Sequence, residues 1–202
     1  MSAAPVEPPH GDRALIAQAN RVMERLPGHR VEIIEGQICV TPPPDIAHSR
    51  ALKKLIRPFE AAGLDEDGTE VHQGVGVWLP DGPEDYAIPD LCLVDADIDE
   101  HLIENNCFDP AAFRLVLEVT SSNWQADLRA KVRAYARAHI PVYVIVDRKH
   151  QRLHVLTSPT GDKYEHHRPY APGEIATLPD SIGAKVSLDV SEILEAGSPK
   201  AN

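Results

Sequence analysis

The sequence has few cysteines, few aromatic residues and no long apolar run, and each shortage excludes a class of protein. Its three cysteines are odd in number and show no CxxC spacing, which argues against a disulfide scaffold and against a cysteine zinc site. The longest apolar run, around Val142 to Val146, is far too short to cross a bilayer, and residues 1–12 contain no apolar signal core. Aromatic residues make up 5% of the chain, so no stacking platform for single-stranded nucleic acid is expected. These absences predict a cytoplasmic protein.

Positive charge is also scarce, and it is unevenly distributed. The 202 residues include 20 Lys and Arg against 31 Asp and Glu, and the net charge of -11 argues against a protein that coats DNA by bulk electrostatics. Residues 60–109 contain 15 acidic residues and no Lys or Arg, whereas residues 129–152 carry seven basic residues opposed only by Asp147. These basic residues are either ordinary solvated helix faces or a basic groove beside an acidic metal pocket.

The order of apolar and turn residues predicts a single α/β domain over residues 13–195, between disordered tails at 1–12 and 196–202. A strand, a helix and a strand over residues 113–147 predict one parallel pair, and hairpins on both sides add antiparallel strands. Helices are expected at about 13–26, 46–62 (capped by Asp45) and 123–139 (capped by Ser121 or Ser122), with a last helical turn near 190–194. Strands are expected at 31–35, 37–41, 71–79, 88–94, 113–120, 141–147, 152–158 and 163–168, with an acidic connection over 95–109 and two further short strands before the last turn.

Three carboxylates stand in segments that are otherwise apolar. Asp90 and Glu118 interrupt predicted strands, and Glu32 lies between Val31 and Ile33. A buried carboxylate needs a cation, a metal ion or hydrogen-bond donors. Asp90 is therefore a metal ligand or a strand-edge aspartate bonded to a backbone amide, and Glu118 is a metal ligand or half of an internal ion pair.

The helix that follows Glu118 offers it a partner. Asp127, Lys131 and Tyr135 recur at i, i+4 and i+8 and share one helix face. The pattern alone favours an ordinary salt bridge between Asp127 and Lys131. The first turns of this helix nevertheless lie near the carboxyl end of the preceding strand, so Lys131 is also within reach of a pocket around Glu118. Glu32, and His48 at the start of the second helix, are each more often structural than catalytic when taken alone.

Taken together, these segments resemble the Uma-two family, whose members are described as putative restriction endonucleases and which belongs to the PD-(D/E)XK nuclease superfamily. The resemblance covers about residues 13–194 and depends on the order and spacing of several motifs. It implies a restriction-endonuclease-like mixed β-sheet flanked by helices, with added β-hairpins. The segments that carry it are 31–38, 42–48, 88–91, 115–121, 127–135 and 140–147.

The resemblance assigns roles to individual positions. Pro89-Asp90 matches the proline–aspartate pair of the superfamily, and Glu118 matches its strand glutamate. The superfamily lysine two residues further on is replaced by Thr120, and Lys131 stands where this family has a lysine on the following helix.

Two further matches extend the site. Glu32 matches the early glutamate of the family, and His48 matches its histidine after a proline-rich turn. The resemblance thus implies a catalytic set of five residues: Asp90, Glu118, Lys131, Glu32 and His48. It implies that Mg²⁺ or Mn²⁺ is held by Asp90, Glu118 and the Val119 carbonyl. The residues that it implies in a supporting part are Thr120, Asp127 and Tyr135.

Three functions remain open from the sequence. The first is a metal-dependent DNA endonuclease, expected to be a homodimer because two-fold symmetry is the simplest way to cut both strands. The second is a catalytically silent nuclease-fold module for nucleic-acid binding or protein assembly, which the net charge of -11 favours. The third is a hydrolase of another phosphate ester at the same site. The complete set of Asp90, Glu118 and Lys131 favours the first.

Overall fold

The computed structural model describes residues 14–66, 68–120 and 124–199, and for residues 124–128 it describes the backbone alone. The tail expected at 1–12, residues 200–202 of the tail expected at 196–202, and the helix cap expected at Ser121 or Ser122 lie outside the described residues. Residues 196–199 are described: Ala196 ends the last helix, and the Ser198 hydroxyl donates to the Leu194 carbonyl. No helix within the described ranges is long and apolar enough to cross a membrane.

The helices begin and end close to the positions that the sequence predicts. The carboxylate of Asp45 accepts a hydrogen bond from the His48 backbone N–H at 2.7 Å, and Asp189 caps the last helix in the same way. Such caps pair backbone N–H groups that a helix start leaves without partners. The described helices are α1 Ala14–Arg25, α2 Ile46–Ala61, α3 Trp124–Arg137 and α4 Val190–Ala196.

The described strands form two six-stranded sheets and a two-stranded ribbon. In the first sheet the order is β2-β1-β5-β4-β8-β7, in the second it is β12-β11-β10-β9-β6-β3, and β13 pairs with β14. The strands are β1 Arg30–Ile34, β2 Gln37–Thr41, β3 Thr69–His72, β4 Gly76–Trp78, β5 Tyr86–Ala87, β6 Leu91–Asp95, β7 Leu102–Glu104, β8 Cys107–Phe108, β9 Phe113–Val119, β10 Val142–Asp147, β11 Arg152–Thr160, β12 Lys163–Tyr170, β13 Ile175–Thr177 and β14 Ser187–Asp189.

The second sheet contains the parallel pair that the sequence predicts. β9 and β10 run parallel with Val116 opposite Tyr143, and α3 connects them. Side chains on both faces of β9 and β10 are apolar and need to be shielded from water, and helices cover both faces of this sheet. Leu115 and Leu117 pack with residues of α2 and α4, whereas Val116 packs with residues of α3. The α/β class with a mixed sheet flanked by helices is therefore confirmed.

Three predicted segments were wrong in detail. The single strand expected at 71–79 is two strands in different sheets, because Gly74 adopts a φ of 73° and turns the chain between β3 and β4. The connection expected over 95–109 contains the short strands β7 and β8. The strand expected from residue 88 starts at Leu91, since Pro89 has no N–H to donate to a ladder. Asp90 thus lies immediately before β6, not inside it.

Candidate active site

A cavity of about 710 Å³ opens where the carboxyl end of β9 approaches β1, the start of α2 and the segment before β6. Seven of the nine predicted site residues line it. A wall of three consecutive prolines, 42–44, and residues 197–199 bound it on other sides. The seven predicted residues are Glu32, His48, Asp90, Glu118, Val119, Thr120 and Lys131. Tyr135 lies behind Glu118, and the side chain of Asp127 lies outside the described residues, so the alternative Asp127–Lys131 salt bridge stays a prediction.

Asp90 is held by donors that favour its ionised form. Its Oδ2 accepts a hydrogen bond from the Val119 backbone N–H at 2.7 Å and lies 2.9 Å from His48 Nε2, while its Oδ1 is paired with the Arg30 guanidinium. Burial by itself would raise the pKa of Asp90, but the His48 hydrogen bond and the Arg30 charge outweigh it and hold that pKa at about 2. Asp90 is therefore a fixed negative charge at neutral pH.

Lys131 joins two buried carboxylates on opposite sides of the site. Its Nζ lies 2.7 Å from Glu118 Oε1 and 2.8 Å from Glu32 Oε1. The Tyr135 hydroxyl donates to Glu118 Oε1 at 3.0 Å, and Glu32 Oε1 also accepts the Ile88 N–H at 2.7 Å. The internal ion pair that the sequence left open for Glu118 is thus present, and Lys131 of α3 does reach the end of β9.

Arg30 is a site residue that the sequence interpretation missed. Its guanidinium is paired with Asp90, lies 3.5 Å from Glu118 Oε2 and donates to the Ile88 carbonyl at 2.6 Å. It therefore bridges Asp90 and Glu118 directly. Alternation contained the signal: Arg30 and Glu32 have the same parity in β1, so a strand taken to start at residue 30 places both side chains on one face.

Arg30, Glu32, Asp90, Glu118 and Lys131 form a charge cluster in which negative charge exceeds positive charge. Three carboxylates face two cations, and their side chains are 2 to 9% exposed except for Arg30 at 22%. Burial raises the pKa of Glu118 to about 7; Lys131 opposes this shift, and the negative charge of Asp90 adds to it. Burial would lower the pKa of Lys131, but Glu118 and Glu32 outweigh it and raise that pKa.

Thr120 and Val119 hold the end of β9 in place. The Thr120 hydroxyl accepts a hydrogen bond from the Arg148 backbone N–H at 3.1 Å, and its own N–H donates to the Val146 carbonyl at 3.0 Å. Val119 fixes Asp90 through its N–H. Thr120 thus ties β9 to the loop after β10, which places Arg148 and Lys149 at the cavity wall.

The side chains of the charge cluster have the donor atoms that a divalent cation prefers. Carboxylate oxygens are the ligands that Mg²⁺ prefers, and the charge cluster lacks positive charge. Asp90 and Glu118 also face the same small region, because one guanidinium contacts Asp90 through Nη2 and lies 3.5 Å from Glu118 through Nη1. Among the described residues no group of three or more His, Cys, Asp and Glu side chains is arranged to hold a metal. Two carboxylates with water and a backbone carbonyl still suit Mg²⁺, which usually keeps several waters, so the residues fit the ion.

Comparisons with known proteins agree with this architecture. The family model Uma2, described as "Putative restriction endonuclease", matches residues 18–191. A solved structure described as a putative nuclease belonging to DUF820 from Anabaena variabilis ATCC 29413 superposes with a TM-score of 0.66. It is 15% identical and covers 83% of this chain and 91% of its own, a likeness that shows the fold alone. No curated protein matches the chain.

Proposed function

Because the chain belongs to the Uma2 family, described as putative restriction endonucleases, we propose that it is an endonuclease that uses Mg²⁺ or Mn²⁺ to hydrolyse DNA phosphodiester bonds. One observation carries the proposal. Asp90 and Glu118 are buried, converge on a single cation, and have Lys131 bonded to one of them from the next helix. Burying such charges lowers the stability of the fold, so a cluster of this kind in a family described as putative restriction endonucleases is best explained by a catalytic role.

Each member of the cluster has a defined part in this proposal. Asp90 and Glu118, with the Val119 carbonyl, would hold the ion, which would place positive charge against a phosphate and lower the pKa of a water. Lys131 would orient the attacking water or stabilise charge that develops on the phosphoryl oxygens, as a point charge. It suits this task because its own raised pKa keeps it charged.

Glu32 and His48 act on their neighbours. Glu32 holds Lys131 at 2.8 Å, and His48 holds Asp90 at 2.9 Å. The Nδ1 atom of His48 is buried and has no hydrogen-bond partner among the described residues. Because Nε2 donates to Asp90, Nδ1 of the neutral ring can accept a hydrogen bond from a water, and it can donate to a phosphate oxygen only when the ring carries both protons. We therefore propose that both are primarily positioning residues, with a phosphate contact as the further part for His48.

DNA remains the proposed substrate although the net charge is -11. Arg148, which is paired with Asp45 at 3.0 Å, and Lys149 place basic side chains at the cavity wall, where a phosphate backbone would meet them. A homodimer would place two such cavities on one duplex. The cytoplasmic location and the homodimer stay predictions from the sequence.

A catalytically silent nuclease-fold module is the second candidate function, and the position of Arg30 favours it. A guanidinium that bridges Asp90 and Glu118 compensates both carboxylates without any metal ion. A protein that never binds a cation there keeps its buried charges paired by this contact.

The experiment is cleavage of supercoiled plasmid at low salt with Mg²⁺ or Mn²⁺, beside Asp90→Asn/Glu118→Gln. Arg133→Met is the matched control, since Arg133 lies on α3 like Lys131 but pairs with Glu35 at the surface. The proposal expects cleavage by the wild type and the control and none by the double variant. Equal inactivity of all three would favour the silent module. Cleavage of a small phosphodiester but not of plasmid would indicate the third function, a hydrolase of another phosphate ester.

A further inference from the structure

The position between Asp90 and Glu118 is filled by a cation that the chain itself supplies. The Arg30 guanidinium contacts both carboxylates and donates to the Ile88 carbonyl. An arginine fork matches carboxylate oxygens well. Arg30 contacts Asp90 Oδ1 and Glu118 Oε2, and the other oxygen of each carboxylate is already bonded to His48 or to Lys131. Arg30 and a metal ion ligated by this pair of carboxylates therefore exclude each other.

We propose that Arg30 is a built-in competitor for the metal site, which pairs Asp90 and Glu118 in the metal-free protein and leaves them when a divalent cation binds. This inference rests on the proposed function, because it concerns the same ion at the same two carboxylates. It adds that the affinity of the site for metal is set by the exchange of one cation for another.

The burial of the charge cluster shows which member is able to move. The Arg30 side chain is 22% exposed, whereas those of Asp90 and Glu118 are 2% and 9% exposed and that of Lys131 is 6% exposed. Arg30 also lines the cavity of about 710 Å³, so its guanidinium has room to turn away from the carboxylates without opening the core.

The charge balance of the cluster favours replacement of Arg30 by a divalent ion. With Arg30 in place and all three carboxylates ionised, as metal ligands are, three negative charges face two monovalent cations, so the cluster has an excess negative charge. A divalent ion in place of Arg30 would bring the cluster to balance, with Lys131 unchanged. Arg30 would then be a free cation at the cavity wall, where a phosphate of the substrate would meet it.

The first test measures Mn²⁺ binding directly by calorimetry, with no substrate and no readout of activity. Arg30→Met removes the competitor, and Arg30→Lys keeps a charge but not the fork. Arg133→Met removes the same charge from the surface pair with Glu35 and controls for bulk electrostatics. We expect Arg30→Met to bind Mn²⁺ at least ~10-fold more tightly than the wild type, because displacement no longer costs an ion pair. We expect Arg30→Lys to lie between them and Arg133→Met to match the wild type.

A second measurement uses the wild type and does not depend on whether a variant folds. The Arg30 side-chain Nε–H signal is followed by NMR during titration with Mg²⁺. Release from Asp90 and Glu118 should shift this signal with the same midpoint as metal binding, while the Arg133 signal stays unchanged. A signal that does not move at saturating Mg²⁺ would show that Arg30 remains in place and would overturn the inference.

The outcomes separate this inference from the proposed function. Equal Mn²⁺ affinity in the wild type and Arg30→Met, abolished by Glu118→Gln, would keep the metal site and reject Arg30 as its competitor. Binding by Arg30→Met but not by the wild type would support competition and reject a metal-dependent wild-type enzyme. Absence of binding in both would reject both proposals.

Discussion

Removal of the Lys131 charge should be among the most costly single changes in this protein. Lys131 Nζ lies 2.7 Å from Glu118 Oε1 and 2.8 Å from Glu32 Oε1, and the three side chains are 6, 9 and 3% exposed. Loss of one partner from a buried ion pair costs ~3–5 kcal/mol, since the remaining charge is left uncompensated. Lys131→Met leaves Glu32 without this cation and Glu118 with only the 3.5 Å contact to Arg30, so we expect a loss within this range.

The size of this loss should depend on pH through Glu118. Because the pKa of Glu118 is already raised to about 7, removal of the neighbouring cation raises it further. At pH 5 the carboxyl is protonated in the folded variant, which limits the loss towards ~3 kcal/mol; at pH 8 the loss approaches ~5 kcal/mol. The difference between wild type and variant therefore grows as the pH rises.

The assay is urea unfolding followed by circular dichroism, with a chelator present so that no metal ion contributes. Lys131→Met, Glu118→Gln and the double variant form a cycle whose coupling should reach ~2–3 kcal/mol. Arg133→Met is the control and should cost far less, because the Arg133–Glu35 pair is at the surface. A coupling near zero, or equal losses for Lys131→Met and Arg133→Met, would refute the reasoning.

Three further predictions concern the groups around Glu118. The free energy of unfolding of the metal-free protein should fall by up to ~3 kcal/mol between pH 5 and pH 8. Glu118 has a pKa of about 7 in the folded protein against an ordinary 4.5, so it stabilises the fold at low pH and loses that contribution as the pH rises through 7. Glu118→Gln should remove this part of the pH dependence of unfolding. Tyr135→Phe should lower the free energy of unfolding in urea by ~1 kcal/mol and raise the pKa of Glu118 further, since the carboxylate loses a hydrogen-bond donor at 3.0 Å. An unchanged pKa of Glu118 in an NMR titration would count against that hydrogen bond. Thr120→Val should lower the free energy of unfolding by ~1–3 kcal/mol, because the Arg148 N–H loses its acceptor, while Thr120→Ser should keep most of the stability in the same urea unfolding assay.

The sequence was sufficient for the fold class because its strongest patterns lie in the second sheet. Phe113–Val119 and Val142–Asp147 are mostly apolar and are joined by a helix, and the connection is long enough for the crossover that a parallel pair requires. The short strands of the first sheet were harder to predict. β4, β5, β7 and β8 have two or three residues each, too few for alternation to be distinguished from a loop.

The site was predictable wherever a charge interrupted an apolar segment. The positions of Glu118 on β9 and Lys131 on α3 made their contact one of two alternatives, beside a salt bridge between Asp127 and Lys131, and the structure joins Lys131 to Glu118 at 2.7 Å. Which groups would pair with Asp90 was not predictable. Its donors Val119, His48 and Arg30 come from three separate parts of the chain, and long-range pairing of this kind depends on tertiary packing.

Arg30 illustrates a general difficulty with cations at strand ends. An arginine at the first residue of a strand usually snorkels into solvent, so its shared parity with Glu32 placed Arg30 on the same face but did not show that it enters the site. Its recognition required the position of Asp90, 60 residues further along the chain. The position of this one side chain decides whether the carboxylates are held for a metal ion or already compensated.

The central claim is that this cluster of carboxylates and Lys131 is a metal-dependent DNA-cleaving centre. The most direct measurement is the rate of plasmid cleavage as a function of Mg²⁺ concentration, for the wild type and for Glu118→Gln purified in parallel, each with and without a chelator. The account predicts a wild-type rate that rises to saturation with Mg²⁺, vanishes with chelator, and falls at least ~100-fold in Glu118→Gln. Equal rates in the two proteins, or a wild-type rate that the chelator leaves unchanged, would contradict it.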